Sequence, residues 1–137
     1  MAISLKKPSG FTSNNHKKTQ VVALSEHVEE DATLLIDGTI LNCFVSFFPY
    51  EIEVGKTYDA DLTINLPDDY EVIRVDTVDC LVEKTGHGYA YFLSGRLCNE
   101  TFHTFTPLDD QDLHYEHPAL NEQLIRLEVE RIDVSFH

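Results

Sequence analysis

Residues 39–66, from Thr39 to Leu66, read TILNCFVSFFPYEIEVGKTYDADLTINL, and the fold prediction starts from this segment. In its second half, from Tyr58 to Asn65, apolar and polar side chains alternate. A period of two places the apolar set on one face of a β-strand and the polar set on the other. The apolar face becomes buried only when other strands cover it. The stretch therefore predicts a closed or sandwiched β-sheet.

An Asp-Gly pair marks the turn that precedes this stretch. Asp37-Gly38 lies between the apolar runs LLI and TIL. This arrangement is typical of a two-residue β-hairpin, because both turn positions require a positive φ. The strand that follows, Thr39–Phe48, has apolar residues on both faces, so we predict that it is central and covered on each side.

Two further runs of β character change phase midway. In Tyr70–Glu83 and in Gln123–Phe136, the apolar positions shift by one residue. Such a shift turns the later side chains to the opposite face unless a bulge or bend restores them, and in the first run we place it at Asp76–Thr77. Gly95, in the middle of the run Tyr89–Cys98, indicates a bend or a close approach of another backbone segment.

These patterns predict an all-β fold: a small, strongly bent antiparallel barrel, OB-like, with six or seven strands and at most one short helix. A β-sandwich is the alternative. Residues 1–19 are interpreted as a flexible basic N-terminal arm and residues 20–137 as a single β-barrel domain. Residues 99–122 are irregular and form either a functional loop or a structural insert, in which Pro118 opens a short helix.

The charge of the chain is strongly negative and unevenly distributed. The formal net charge is −14. Residues 1–20 contain four lysines and no acid, which leaves the other 117 residues with six basic and 24 acidic side chains and a net charge of −18. A body of this charge repels polyanions, so nucleic acid and anionic membranes are disfavoured as partners and a basic protein is favoured.

The three cysteines, Cys43, Cys80 and Cys98, lie far apart in the sequence. An odd number without a C-x-x-C pair argues against a disulfide framework and a structural zinc cluster, so we expect buried, reduced thiols. The sequence has no apolar run long enough to span a membrane and no signal-peptide pattern in its first 20 residues. We therefore expect a cytoplasmic protein.

The densest cluster of potential metal ligands is the Asp109–His117 loop, which contains three Asp, one Glu and two His in nine residues. Histidine and carboxylate side chains are the usual ligands of zinc, manganese and iron. The candidate ligands are Asp110, Asp112, His114 and His117. The glycine and closing glutamate of a calcium loop are missing, and the alternative is a solvated acidic loop.

No catalytic motif is found in the sequence. The nucleophile elbow, the phosphate loop and the dinucleotide fingerprint are all missing. His87, between two glycines, has no neighbouring partner for acid–base chemistry. We therefore assign no catalytic residue and no cofactor, and a non-catalytic function is favoured.

The acidic runs and several aromatic residues are the candidates for a binding surface. The acidic candidates are Glu29, Glu30, Asp31, Asp68, Asp69, Asp109 and Asp110. The aromatic candidates are Phe48, Tyr50 and Tyr89. Together they predict a protein–protein interaction module whose acidic face engages a basic partner.

Three other functions remain open. The first is a metal-binding protein or metal-dependent enzyme that uses the Asp109–His117 loop. The second is an OB-like nucleic-acid-binding barrel in which the N-terminal arm supplies the positive charge. The third is association between copies of the chain through free strand edges, which are ready templates for pairing.

Overall fold

The computed structural model describes residues 14–86 and 88–137, and these form eleven β-strands and one short α-helix. In chain order the elements are β1 (His16–Leu24), β2 (Asp31–Ile36), β3 (Thr39–Phe47), β4 (Thr57–Asn65), β5 (Val72–Arg74), β6 (Val82–Lys84), β7 (Tyr91–Cys98), β8 (Thr101–His103), β9 (Pro107–Asp109), α1 (Gln111–Glu116), a 3-10 turn (Pro118–Leu120), β10 (Leu124–Val129) and β11 (Arg131–Phe136).

Five strands close a barrel in the order β1–β2–β3–β11–β4, with β4 pairing back onto β1. Neighbouring strands are antiparallel except β3 and β11, which run parallel. In β4, Ala60 and Leu62 are fully buried inside the barrel, whereas Asp59 and Asp61 are only partly covered. The alternation in the sequence thus becomes an inside and an outside, and the predicted OB-like all-β barrel is confirmed.

The β2–β3 hairpin forms as predicted. Asp37 and Gly38 have φ values of 47° and 79°, and the flanking residues Ile36 and Thr39 are paired. The prediction that the next strand is covered on both faces is wrong, because Ile40 and Phe47 on β3 are 61% and 55% exposed. A barrel strand has a single interior face, and an apolar pattern on both faces does not supply a second covering layer.

The remaining six strands form a second sheet in the order β5–β10–β7–β8–β9, with β6 also pairing with β7. All pairs in this sheet are antiparallel. Leu93 and Leu127 from this sheet and Leu34 and Leu62 from the barrel belong to one buried cluster. The two sheets therefore share a core.

The two predicted phase changes have different outcomes. In the last run, the change is a passage between sheets: β10 belongs to the second sheet, β11 to the barrel, and the N–H of Glu130 between them donates to the Asn65 carbonyl at 2.7 Å. The run Tyr70–Glu83 is not one bent strand, because β5 pairs with β10 and β6 with β7. The predicted number of strands, six or seven, was therefore too low, because the described residues form eleven. The intervening residues 75–81 form no strand of their own, and Leu81 is 43% exposed.

The irregular segment 99–122 is a structural insert. It contains β8, β9, α1 and the 3-10 turn that Pro118 opens. Phe102, Leu108 and Leu113 from this segment are buried in the core. Its β-strands and α1 were missed because each is three to six residues long, which is too short for a periodic pattern.

Gly95 marks a close approach of two backbone segments, as predicted. A Cβ atom added to Gly95 would lie 2.0 Å from the His103 carbonyl oxygen on β8. Only glycine fits at this crossing.

Most of the predicted arm, residues 1–13, and His87 lie outside the described residues. The first strand begins at His16, so residues 16–19 pair with β4. The expectation of three buried thiols holds for Cys43, but Cys80 is exposed and Cys98 is half-buried. Neither α1 nor the 3-10 turn in the described part of the chain is long and apolar enough to cross a membrane.

Candidate functional site

A cleft of about 410 Å³ opens between the β1–β2 loop and the β3–β4 loop. The two loops meet at one end of the barrel, because β1 ends where β4 begins in their antiparallel pairing. The volume lies within the roughly 300–1,000 Å³ typical of ligand pockets. The cleft is lined by Leu24, Ser25, Glu29, Phe48, Pro49, Tyr50, Glu51 and Ile52.

The cleft combines an apolar floor with an acidic rim. Leu24, Phe48 and Ile52 are half-buried and pack against the core. Glu29 and Glu51 are exposed, and neither forms an ion pair with any residue that the structure describes. The cleft can therefore offer apolar contact and two free carboxylates to the same ligand.

Hydrogen bonds hold the two loops in shape before any ligand arrives. In the β1–β2 loop, the Ser25 hydroxyl oxygen accepts from the backbone N–H groups of His27 at 3.2 Å and Val28 at 3.0 Å. In the β3–β4 loop, the N–H of Glu53 donates to the Tyr58 hydroxyl at 2.9 Å. A preformed cleft orders fewer groups on binding, which favours affinity.

The predicted acidic residues do not form one face. Glu29 lines the cleft, and Asp31 accepts a 2.6 Å hydrogen bond from the Asn42 side chain. Glu30 is half-buried in the same loop. Asp68 and Asp69 are exposed in the turn after β4, at the opposite end of that nine-residue strand from the β3–β4 loop.

Asp109 and Asp110 have structural roles, because both accept hydrogen bonds from other residues of the chain. Asp109 accepts hydrogen bonds from the Asn14 side chain at 3.0 Å and the Thr101 hydroxyl at 2.7 Å. Asp110 caps α1 by accepting from the Leu113 N–H at 3.0 Å. Burial raises the pKa of Asp110 despite that bond. Both carboxylates are engaged within the protein.

The Asp109–His117 loop does not assemble its four candidate ligands into a metal site. Asp110 is the helix cap, and Asp112 is exposed in the first turn of α1. His114 Nδ1 is buried without a hydrogen-bond partner among the described residues. His117 Nε2 lies 2.7 Å from the Tyr70 hydroxyl. None of these residues belongs to the single group of three metal-ligating side chains found in the described part of the chain.

Tyr70 forms a polar contact at the end of α1. Its hydroxyl lies 2.7 Å from Glu116 Oε1 as well as from His117. Burial and the hydrogen bond to Glu116 raise the pKa of Tyr70. The phenol therefore stays protonated, and its hydroxyl donates a hydrogen bond to Glu116. This bond links α1 to the β4–β5 turn.

The group of metal-ligating side chains lies on the outside of the barrel, with His16 on β1, Asp61 on β4 and His137 directly after β11. Asp61 Oδ1 lies 3.1 Å from His16 Nδ1, and Asp61 Oδ2 lies 2.8 Å from His137 Nε2. The two imidazole centroids are 5.1 Å apart. Asp59 lies beside this group and pairs with Lys18 at 2.6 Å, a hydrogen bond that lowers the pKa of Asp59.

Comparison with known proteins assigns the chain to a family. A family model described as "Uncharacterised conserved protein UCP019853" matches residues 16–137. The chain belongs to this family. No match was found among the curated proteins or among the solved structures. The family match spans all barrel strands, the cleft and the residues from His16 to His137.

The three aromatic candidates have different environments. Phe48 and Tyr50 line the cleft, and Tyr50 is 38% exposed. Tyr89 is half-buried and packs edge-on against Phe44, with ring centroids 5.8 Å apart. Burial raises the pKa of Tyr89. Two of the three candidates thus lie together at the cleft.

Sequence reasoning missed the His16, Asp61 and His137 cluster. His16 falls in the predicted arm, and the two histidines come from opposite ends of the described chain. The one usable signal was the polar face of β4, where Asp59 and Asp61 point the same way. The neighbours of that face follow only from the strand order.

Proposed function

We propose that this protein is a non-catalytic binding module that takes a basic segment of a partner protein into the cleft between the β1–β2 and β3–β4 loops. The observation that supports this function is the meeting of an apolar floor with the unpaired carboxylates of Glu29 and Glu51. The net charge of −18 on residues 21–137 favours the same kind of partner.

The partner segment should carry apolar and basic side chains together. Its apolar side chains would cover Phe48 and Ile52, and its lysine or arginine side chains would approach the two rim carboxylates. Apolar burial contributes most of the affinity, roughly 25 cal/mol per Å². The charges act mainly on the association rate and on the choice of partner.

The charge preference is tested with three fluorescent probes in anisotropy titrations of the full chain: a Lys/Leu peptide, a Glu/Leu peptide of equal length and a single-stranded oligothymidylate. We expect the basic peptide to bind in low salt and to weaken by about tenfold near 0.5 M salt, where the Debye length is only a few ångströms. Equal binding of both peptides, or preferential binding of the oligonucleotide, would overturn the proposal.

The location is tested with matched charge reversals. Glu29→Lys with Glu51→Lys changes the cleft rim, and Asp68→Lys with Asp69→Lys makes the same change of net charge in the exposed turn after β4. We expect the first pair to reduce affinity for the basic peptide by about tenfold and the second by less than threefold, because screened charges act over about 8 Å in physiological salt. Equal losses would contradict a cleft-centred site.

We also place this module in the cytoplasm. The support is three free thiols, of which Cys80 is exposed. An exposed thiol persists in a reducing compartment and is oxidised or paired in secreted proteins.

A further inference from the structure

We propose that His16, Asp61 and His137 form a binding site for a divalent first-row transition metal ion such as zinc. The site is independent of the proposed binding cleft. Each residue offers one ligand atom, and these atoms all lie within 4.8 Å of one another. Two imidazoles and one carboxylate are a ligand set that zinc and non-haem iron accept, with at least one coordination position left for water.

The distances fit a metal ion. Bonds of about 2.0–2.2 Å from the metal to nitrogen and oxygen place neighbouring ligand atoms roughly 3.0–3.4 Å apart. The two nitrogen–oxygen distances to Asp61 are 3.1 Å and 2.8 Å. These two contacts use different oxygens of Asp61, and the three ligand atoms lie within 4.8 Å of one another, so side-chain rotations that close gaps of up to roughly 1.5 Å would bring them to coordination geometry.

Each ring nitrogen of His16 faces a carboxylate. Its Nδ1 faces Asp61 at 3.1 Å and its Nε2 faces Asp59 at 3.6 Å. A neutral imidazole has one N–H and one lone pair, so one of these carboxylates faces a lone pair. A metal ion on Nδ1 would use that lone pair and leave the Nε2 N–H directed toward Asp59, 3.6 Å away, and a carboxylate beside the second ring nitrogen is common around metal-ligating histidines.

The carboxylates have separate roles. Lys18 neutralises Asp59 at 2.6 Å. Among the described residues, Asp61 has no lysine or arginine partner and meets only the two histidines. Asp61 therefore remains available as the charged ligand, whereas Asp59 is paired with Lys18 beside the site.

Strand pairing brings the backbones of the three ligand residues together. His16 on β1 is the direct cross-strand partner of Asp61 on β4. His137 follows β11, the other neighbour of β4, and its backbone N–H donates to the Asp59 carbonyl at 3.0 Å. Ligands on paired strands are held more precisely than ligands on loops. Each side chain is about half exposed (48%, 45% and 50%), which leaves a path for the ion.

The site is tested by isothermal titration of zinc chloride into the full chain without a histidine tag, with magnesium chloride as the comparison ion. We expect one zinc ion per chain and no heat from magnesium. His16→Gln, Asp61→Asn and His137→Gln should each lower zinc affinity by at least about tenfold, because each removes a direct ligand. Circular dichroism confirms that each variant retains its fold.

Two matched histidine variants separate this site from other zinc binding. His27→Gln changes an exposed histidine in the β1–β2 loop, and His117→Gln removes a candidate ligand of the Asp109–His117 loop. Both should bind zinc like the original chain. Cobalt(II) provides a second readout, since its visible absorption should appear in these two controls and disappear in the three ligand variants. No stoichiometric zinc binding, or an equal loss in His27→Gln or His117→Gln, would overturn the inference.

Discussion

The Tyr50 hydroxyl donates a hydrogen bond to the backbone oxygen of His137. This contact joins the two candidate sites, because Tyr50 lines the cleft and His137 belongs to the histidine cluster. The Tyr50 ring also packs against Tyr58, whose ring meets Phe136 at the end of β11. One aromatic stack therefore supports the cleft wall and the end of the last strand.

Tyr50→Phe tests that connection. The variant keeps the ring and loses the donor, so we expect the free energy of unfolding to fall by about 0.5–1.5 kcal/mol. Urea denaturation measures this change. Zinc affinity should fall a few-fold, because His137 loses one of its anchors. The control is Tyr115→Phe, since Tyr115 is 86% exposed and should tolerate the change. Identical unfolding midpoints and zinc affinities for Tyr50→Phe and the original chain would contradict the supporting role.

Gly95→Ala should damage the fold severely. Its new Cβ would lie 2.0 Å from the His103 carbonyl oxygen and 2.8 Å from the Thr104 Cα. Backbone on β8 must then move away from β7, and we expect a loss of about 3 kcal/mol or more. Gly55→Ala is the control: Gly55 has φ +93° but no atom within 4 Å of the added Cβ. Strain alone should cost about 1 kcal/mol there. Urea midpoints that rank the two variants the other way would refute the close-contact explanation.

Asp109→Asn should destabilise the protein in a pH-dependent way. Burial opposes ionisation of Asp109, but hydrogen bonds from Asn14 and Thr101 outweigh it and hold its pKa below the usual 3.8. A carboxyl group with a lowered folded pKa stabilises the fold above its unfolded pKa, and this contribution is lost as pH falls through the folded value. We expect a loss of about 1–2 kcal/mol at pH 7.

The difference between Asp109→Asn and the original chain should shrink below about pH 4, near the unfolded carboxyl pKa. Urea denaturation across this range measures it. Asp68→Asn makes the same charge change at an exposed position and serves as the control for general charge repulsion. A pH-independent difference for Asp109→Asn would indicate a packing effect instead.

Leu113→Ala should detach α1 from the core. Leu113 is the one buried residue of this helix and is 0% exposed. Removing a fully buried leucine side chain costs about 2–5 kcal/mol. Tyr115→Ala, on the same helix but 86% exposed, should change stability by less than about 0.5 kcal/mol. Hydrogen exchange should also accelerate at the His117 N–H, which donates to the Leu113 carbonyl at 3.1 Å. Equal stability of the two variants would mean that α1 contributes little to the fold.

Much of the barrel was predictable because its signals are local. The Asp37-Gly38 turn requires only two residues of suitable conformation, and the alternation in β4 requires only one strand. The second sheet was not predictable, because β5 and β6 are three residues each and their pairing partners lie far along the chain. Strands this short are defined by their neighbours rather than by their own pattern.

The candidate sites also differ in how far the sequence could predict them. Phe48, Tyr50 and Glu29 were predicted individually, from aromatic clusters and acidic runs, and the structure places all three at one cleft. The Asp109–His117 loop has metal-ligating residues close in sequence, yet their side chains cap a helix, remain exposed or contact Tyr70. Closeness along a chain does not aim side chains at a common point.

Alternation and charge are properties of residues in their order along the chain, so an all-β barrel with a negative body could be predicted without the structure. Which side chains meet depends on how the strands pair. Asp61 lies 45 positions from His16 and 76 from His137, and they are neighbours because β4 pairs with both β1 and β11. Strand order and register bring them together, and both are set by the packing of the whole barrel rather than by any one segment.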